Sequence, residues 1–364
     1  MSNNQRLEEL DGLRGLAALS VILLHLLWSV KGINPRIFIF TDGFAAVDLF
    51  FVLSGFVLAY PYFYNDKKMS VFSFYVKRIF RIYPSAIFVI ILSVLLHKYI
   101  FVLDGVKSMN YPWIATGWES LFSFKDILTS ILIIGQAKIL PPLWSLIIEV
   151  QASVILPFLI LGFKALNKEN TILIFSIISA LMIGSKITWL IYMPEFLLGL
   201  ILAKYKVEFV SYYKRLSPII KAIIFIVAMG LYLPRFTYLM GSNNEILIRK
   251  IVSVGSALLI IIALSDGIFS SFLRKKVVKF FGKISYTIYI IHWPLLLTLS
   301  SYLFPRTGSY LLIGIIYIPL TIISAYLLTR YIEIPLHNFG KNLVNKITLG
   351  KDKQEMHEGL SKVI

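Results

Sequence analysis

The chain has 364 residues, 58% hydrophobic and 15% charged, with a mean hydropathy of +0.79, far from the roughly half-apolar, quarter-charged soluble average. That composition excludes a soluble globular protein. The formal net charge of +17 would suggest nucleic acid in a soluble chain, but in a membrane chain basic cytoplasmic loops account for it, and no nucleic-acid partner is expected. The chain holds no cysteine, which excludes disulfides, thiolate catalysis, Cys-ligated zinc and an enzyme-bound thioester.

A bilayer core of about 30 Å takes about 20 apolar residues per helix. In chain order such runs fall at 12–30, 43–63, 84–103, 141–163, 170–185, 187–205, 217–233, 247–265, 282–304 and 309–332. They predict an all-α polytopic fold of ten transmembrane helices. The first run carries Arg14 and His25 with no small-residue cleavage site after it, so it stays as a membrane helix. The segment 127–139 (ILTSILIIGQAKI) is too short to cross and precedes Pro141-Pro142, so it is expected to be re-entrant or interfacial.

Ten crossings leave both termini on one side. The basic clusters lie at Lys67, Lys68, Lys77, Arg78 and Arg81, from Lys204 to Arg215, from Arg274 to Lys283, and in the tail, which places both termini in the cytoplasm. No repeat divides the chain, so residues 10–333 read as one membrane domain. The polar tail 334–364 reads as a solvated end or a peripheral helix. No further soluble domain is expected after it.

Charged side chains inside a span need a partner, a wet cavity or a task. Counted from the predicted helix ends, His25 lies about 9 Å deep, Asp48 about 8 Å, and Glu149 and Glu195 about 12 Å, with His292 about 15 Å from the inner end of its helix. Five ionisable groups from five helices in one slab predict a polar chamber. Arg14 and His25 are about 16 Å and three turns apart on nearly one face. Arg14 either meets an anionic ligand head or snorkels to the headgroups. Arg78 and Arg81, at i and i+3, suit either a phosphate or anionic lipid. The five histidines (His25, His97, His292, His337, His357) show no paired ligand spacing, and no metal is expected; Gly12-x-x-Gly15 reads as a helix-packing element.

These features together resemble the acyltransferase 3 family of bacterial and related membrane O-acyltransferases. The marks are Arg14 and His25 with ten residues between them in LDGLRGLAALSVILLHLLW, VDLFFVLSGFVLAY at 47–60, and the Arg78-x-x-Arg81 pair in YVKRIFRIYP. Further along come LWSLIIEVQ at 143–151, MPEFLLGLILA at 193–203, ISYTIYIIHWPLL at 284–296, and the closing YIEIP at 331–335.

The resemblance implies transfer of an acyl group, most often acetyl, from cytoplasmic acyl-CoA to a carbohydrate hydroxyl. No tightly bound cofactor is expected; acetyl-CoA or another acyl-CoA enters as donor substrate. It implies His25 as base or acyl carrier, with Glu149 orienting it, and Arg14, Arg78 and Arg81 holding CoA phosphates. Asp48, Ser54, Trp144, Ser145, Tyr286 and His292 would line the chamber. Glu195 and Glu333 read as structural. Acceptors within the resemblance include O-antigen, lipopolysaccharide or a lipo-oligosaccharide, exopolysaccharide, capsule, a lipid-linked precursor or a small secreted natural product, with a separate periplasmic or glycan-assembly partner allowed. A transporter or flippase of a lipid-linked glycan is the rival reading, as intramembrane charges suit it too.

Overall fold

The computed structural model describes residues 7–33, 42–64, 69–107, 109, 117–233 and 244–361, with side chains to 347. Lys67, Lys68 and the His357 side chain lie outside the described residues. Among the described residues the chain is helical, with no strand. The elements are α1 (Glu8–Trp28), α2 (Gly43–Tyr64), α3 (Val71–Tyr99), α4 (Phe124–Ile131), α5 (Leu143–Ala165), α6 (Lys168–Ile183), α7 (Thr188–Ile191), α8 (Met193–Lys204), α9 (Lys206–Arg215), α10 (Pro218–Tyr232), α11 (Glu245–Ala263), α12 (Ile268–Leu273), α13 (Lys276–Thr307), α14 (Tyr310–Leu328) and α15 (Ile334–Ser361).

Seven described helices are long and apolar enough to cross a membrane: α1, α2, α3, α5, α11, α13 and the continuous run Tyr310–Ile347. The protein is a multi-pass membrane protein. Ten such helices were expected. The runs at 170–185, 187–205 and 217–233 do form helices, but α6 has 16 residues, α8 has 12 and α10 has 15. The 187–205 run breaks at Tyr192, ahead of Pro194. Its α8 half is almost wholly buried, so it meets other helices rather than lipid.

Small residues set the closest helix contacts. A Cβ at Gly15 would stand 2.6 Å from the Gly282 nitrogen, and one at Gly12 would stand 2.5 Å from the Leu273 carbonyl oxygen. The Gly12-x-x-Gly15 element thus lets α1 lie on α12 and α13 at backbone distance. Gly55 of α2 and Gly199 of α8 do the same for that pair. The α1/α13 contact holds His25 against His292. Gly282→Ala is therefore expected to destabilise the protein by about 1–3 kcal/mol and to lower activity through the displaced histidines. Thermal unfolding in detergent and a transfer assay check both parts.

Ion pairs gather the ends on the N-terminal side. Arg274 holds Glu9 at 2.7 Å and Asp266 at 3.2 Å, Lys214 holds Asp266 at 2.6 Å, and Lys279 holds Glu8 at 2.7 Å. The tail does not begin as a solvated end. After a π-helical turn, Thr329–Glu333, the chain continues as α15, and Phe339 meets Phe80 of α3 with ring centroids 5.5 Å apart.

On the opposite side, the 127–139 segment resolves into a short helix and a packed loop. Ser123 caps α4 through a capping box with Asp126, Phe124 and Leu128 are exposed, and Ile133, Ile139 and Leu140 are buried. Trp118 Nε1 donates to the Ile139 carbonyl at 2.8 Å, and Lys138 reaches Asp126 at 3.0 Å. The backbone N–H of Ser123 and the Lys138 ammonium hold the Asp126 carboxyl down at about 2, below its ordinary 3.8. A depressed carboxyl contributes stability in full above the ordinary value and loses it as pH falls through the folded one. Protease resistance of residues 117–142 should stay constant from pH 7 to about 4 and fall toward about 2. In Asp126→Asn it should already be reduced at pH 7.

Candidate active site

Two groups of polar side chains meet in the interior between α1, α2, α3, α5 and α13. The first is built on arginines. Arg78 of α3 forms an ion pair with Glu149 of α5, donates from Nε to Ser153 Oγ at 2.9 Å, and reaches Ser54 Oγ at 3.3 Å; Ser54 in turn donates to Glu149 Oε1 at 2.9 Å. One turn on, Arg81 pairs with Glu333 and lies 5.7 Å over the Tyr286 ring, whose hydroxyl donates to the Ile82 carbonyl at 2.6 Å. Arg14 stands within electrostatic reach of both Arg81 and Glu149.

Arg78 and Arg81 by themselves suited either a phosphate or anionic lipid, and the resemblance implied CoA phosphates. In the structure each guanidinium is tied to a carboxylate from another element, Arg78 to Glu149 and Arg81 to Glu333, because two like charges in low dielectric are stable only when compensated. The group thus brings three arginines and two carboxylates together. Glu333, read as structural, proves to be the partner of Arg81. It is delivered by the π-helical turn, where Thr329 Oγ1 lies 3.3 Å from Glu333 Oε2 and 2.6 Å from Thr287 of α13. Its only sequence signal was the closing YIEIP.

The second group is built on histidines. The His25 and His292 rings have centroids 4.9 Å apart, and Trp293 stands edge-on to His25 at 5.2 Å. His25 Nδ1 lies 2.8 Å from the Val21 carbonyl oxygen and His292 Nδ1 lies 3.2 Å from that of Ile288. A carbonyl only accepts, so Nδ1 carries the hydrogen in both rings and Nε2 is the basic nitrogen. His25 Nδ1 thus meets its own helix backbone, one turn back, while Glu149, expected to orient the ring, is engaged by Arg78 and Ser54. Tyr289 links the groups: it lies 6.0 Å from His292, shares a 2.6 Å hydrogen bond with Ser145, donates to the Pro142 carbonyl at 3.1 Å, and is within electrostatic reach of Glu149.

Asp48 and Glu195 join neither group. Arg249 donates to Asp48 at 2.9 Å and Lys250 to Glu195 at 2.6 Å. The guanidinium of Arg249 also sits 5.1 Å from the Tyr192 ring and 5.7 Å from that of Trp144. The single slab of five ionisable groups is therefore divided three ways, each carboxylate going to the nearest cation. Arg249 and Lys250 were missed, although adjacent cations at the head of an apolar run were visible beside two unpaired carboxylates.

Beside His25, a cavity of about 180 Å³ is walled by Trp28, Phe44, Trp144, Tyr289 and Trp293 and bounded by Pro141 and Pro142. It lies between the ends of α1, α2 and α5 that face away from the N-terminal ion pairs. The arginine group lies toward the N-terminal side.

An acyltransferase-domain family model matches residues 7–330, and the chain belongs to this acyltransferase family. It is 28% identical over 369 residues to the O-acetyltransferase OatA of Staphylococcus aureus (strain NCTC 8325 / PS 47), covering 93% of this chain and 58% of that protein. It is 27% identical over 379 residues to the peptidoglycan O-acetyltransferase OatA of Listeria monocytogenes serovar 1/2a (strain ATCC BAA-679 / EGD-e), covering 94% and 57%. The chain thus spans under two thirds of the length of these relatives. No solved structure matches it.

Proposed function

We propose that this chain is a membrane O-acetyltransferase, taking an acetyl group from acyl-CoA on its N-terminal side and delivering it to a hydroxyl of a cell-envelope carbohydrate on the other. The observation that carries this reading is the position of His25, with the arginine group toward one membrane face and a separate cavity toward the other. Peptidoglycan, rather than the O-antigen or lipopolysaccharide of the earlier expectation, is the favoured acceptor class, following the name of the Listeria relative. We take the N-terminal side as cytoplasmic and α6, α8 and α10 as crossing in company with the seven long helices. The basic residues of α9 and the start of α13 then face the cytoplasm.

In this mechanism CoA phosphates add to the arginine group, where charge-assisted pairs suit guanidiniums, and the thin pantetheine arm carries the thioester toward His25. The His25 Nε2 takes the proton of the acceptor hydroxyl as its oxygen attacks the thioester carbonyl. The C–S bond then breaks, and the imidazolium returns the proton to the leaving thiolate. The Arg78 to Glu149 link holds the donor side in shape.

Detergent-purified protein given radiolabelled acetyl-CoA and a soluble peptidoglycan disaccharide should release CoA and label the sugar. A transporter or flippase would do neither. Within that assay, Arg78→Lys keeps the charge but loses the planar fork that reaches Ser153, Ser54 and Glu149. It should raise the acetyl-CoA KM about tenfold or more with little effect on the KM for sugar. A variant equal to wild type would remove Arg78 from donor binding.

A further inference from the structure

We infer that the aromatic cavity beside His25 is a subsite for a single pyranose ring of the acceptor, held face-on so that one ring hydroxyl reaches the His25 imidazole. The inference rests on the transferase reading and identifies where and by what chemistry the acceptor binds. The cavity of about 180 Å³ is smaller than the roughly 300–1,000 Å³ of sites that enclose a whole ligand. It admits one ring of a glycan and leaves the rest outside.

Its walls suit that ring. Aromatic faces carry a negative quadrupole, which favours the C–H groups along one face of a pyranose over the hydroxyls on its rim. Trp28 and Phe44 stand at 88° to each other with centroids 5.6 Å apart, and Trp293 is edge-on to His25 at 88°, so flat walls meet at right angles. The rings are also fixed from behind. Arg249, itself paired with Asp48, lies 6.0 Å from the Phe44 ring and 5.7 Å from that of Trp144, while the Tyr289 hydroxyl is committed to Ser145 and Pro142. The wall is therefore shaped before the sugar arrives. Besides the indole N–H groups and the Tyr289 hydroxyl, already committed to Ser145 and Pro142, His25 is the polar side chain that lines the cavity, so a ring hydroxyl entering it converges on the proposed base.

A second cavity, of about 360 Å³, runs along the other flank of α1 between Leu13, Leu16, Leu23, Phe225, Phe269 and Phe272. It too has aromatic walls, but neither His25 nor His292 lines it, so a ring hydroxyl entering there meets no imidazole.

The test uses the full chain in detergent, with Trp28→Ala and Phe44→Leu chosen because both side chains are half-buried at the cavity edge. Each is expected to raise the KM for a soluble peptidoglycan disaccharide about tenfold while leaving the KM for acetyl-CoA unchanged. Titration of the disaccharide without donor should weaken by the same factor, and Trp28→Phe should recover most of it. Unchanged disaccharide KM and affinity in both variants, with transfer intact in wild type, overturns the subsite and leaves the transferase reading standing. A rise in acetyl-CoA KM instead assigns the cavity to the donor arm and also overturns it. If wild type binds disaccharide through Trp28 but transfers nothing, the subsite stands and the transferase reading falls.

Discussion

His25→Ala is expected to reduce acetyl transfer by about 10²- to 10⁴-fold, the usual worth of a positioned general base, while leaving a folded protein. Two features make the loss chemical rather than structural. The ring is half-buried and packs against His292 and Trp293, and its Nδ1 contact is with its own helix at Val21. Truncation at a half-buried ring therefore leaves a small void in an otherwise unchanged helix contact. Elution as a monodisperse species, unchanged helicity and unchanged acetyl-CoA binding would confirm folding, and CoA release would report the chemistry. Because the tautomer is set by a backbone carbonyl, Glu149→Gln should act on the donor side through Arg78 rather than by mis-setting the imidazole. Transfer by His25→Ala near the wild-type rate would remove the base and the mechanism with it.

Arg249→Ala is expected to cost about 3–5 kcal/mol of stability, the range for stripping one partner from a buried ion pair. Asp48 is 1% exposed and its partner Arg249 about 15%. The carboxylate left behind stays buried without its charge partner. The adjacent Lys250 is already held by Glu195 and the Ile191 carbonyl, so it cannot move over to compensate. The variant should unfold at lower temperature or fail to accumulate in the membrane. Replacing both partners with apolar residues, Asp48→Leu with Arg249→Met, should restore much of the stability, since paired removal leaves no orphan. The same double variant loses the guanidinium behind Phe44 and Trp144. It should therefore regain stability without regaining full activity, and that split separates holding the fold from shaping the cavity. A double variant no more stable than Arg249→Ala alone would show that the pair does more than cancel charge.

Hydropathy by itself determined that the chain is a helical membrane protein, because a helix in lipid must satisfy its backbone internally and show apolar side chains outside. It also located the long apolar helices in order, and the spacing of Arg14 and His25 placed both on α1. Hydropathy did not determine which helices are long enough to cross. The 187–205 run looked like one span, yet Tyr192 and Pro194 divide it, and α8 is enclosed by α2 through Gly55 and Gly199 rather than by lipid. Apolar sequence reads the same in either setting.

The site divides along the same line. Residue type alone showed that His25, Glu149, Asp48 and Glu195 were costly in a bilayer and needed partners. Which partner each took was decided only in three dimensions: Arg78 reaches Glu149 from 71 positions away, and Arg249 reaches Asp48 from 201 positions away. A buried charge is satisfied by the nearest opposite charge in space. Sequence order carries no record of that distance, so one expected chamber became an arginine group, a histidine pair and a separate structural cluster. The Arg81 pairing with Glu333 needed in addition a π-helical turn, a local change of helix pitch that depends on Thr329 meeting Thr287 of a different helix.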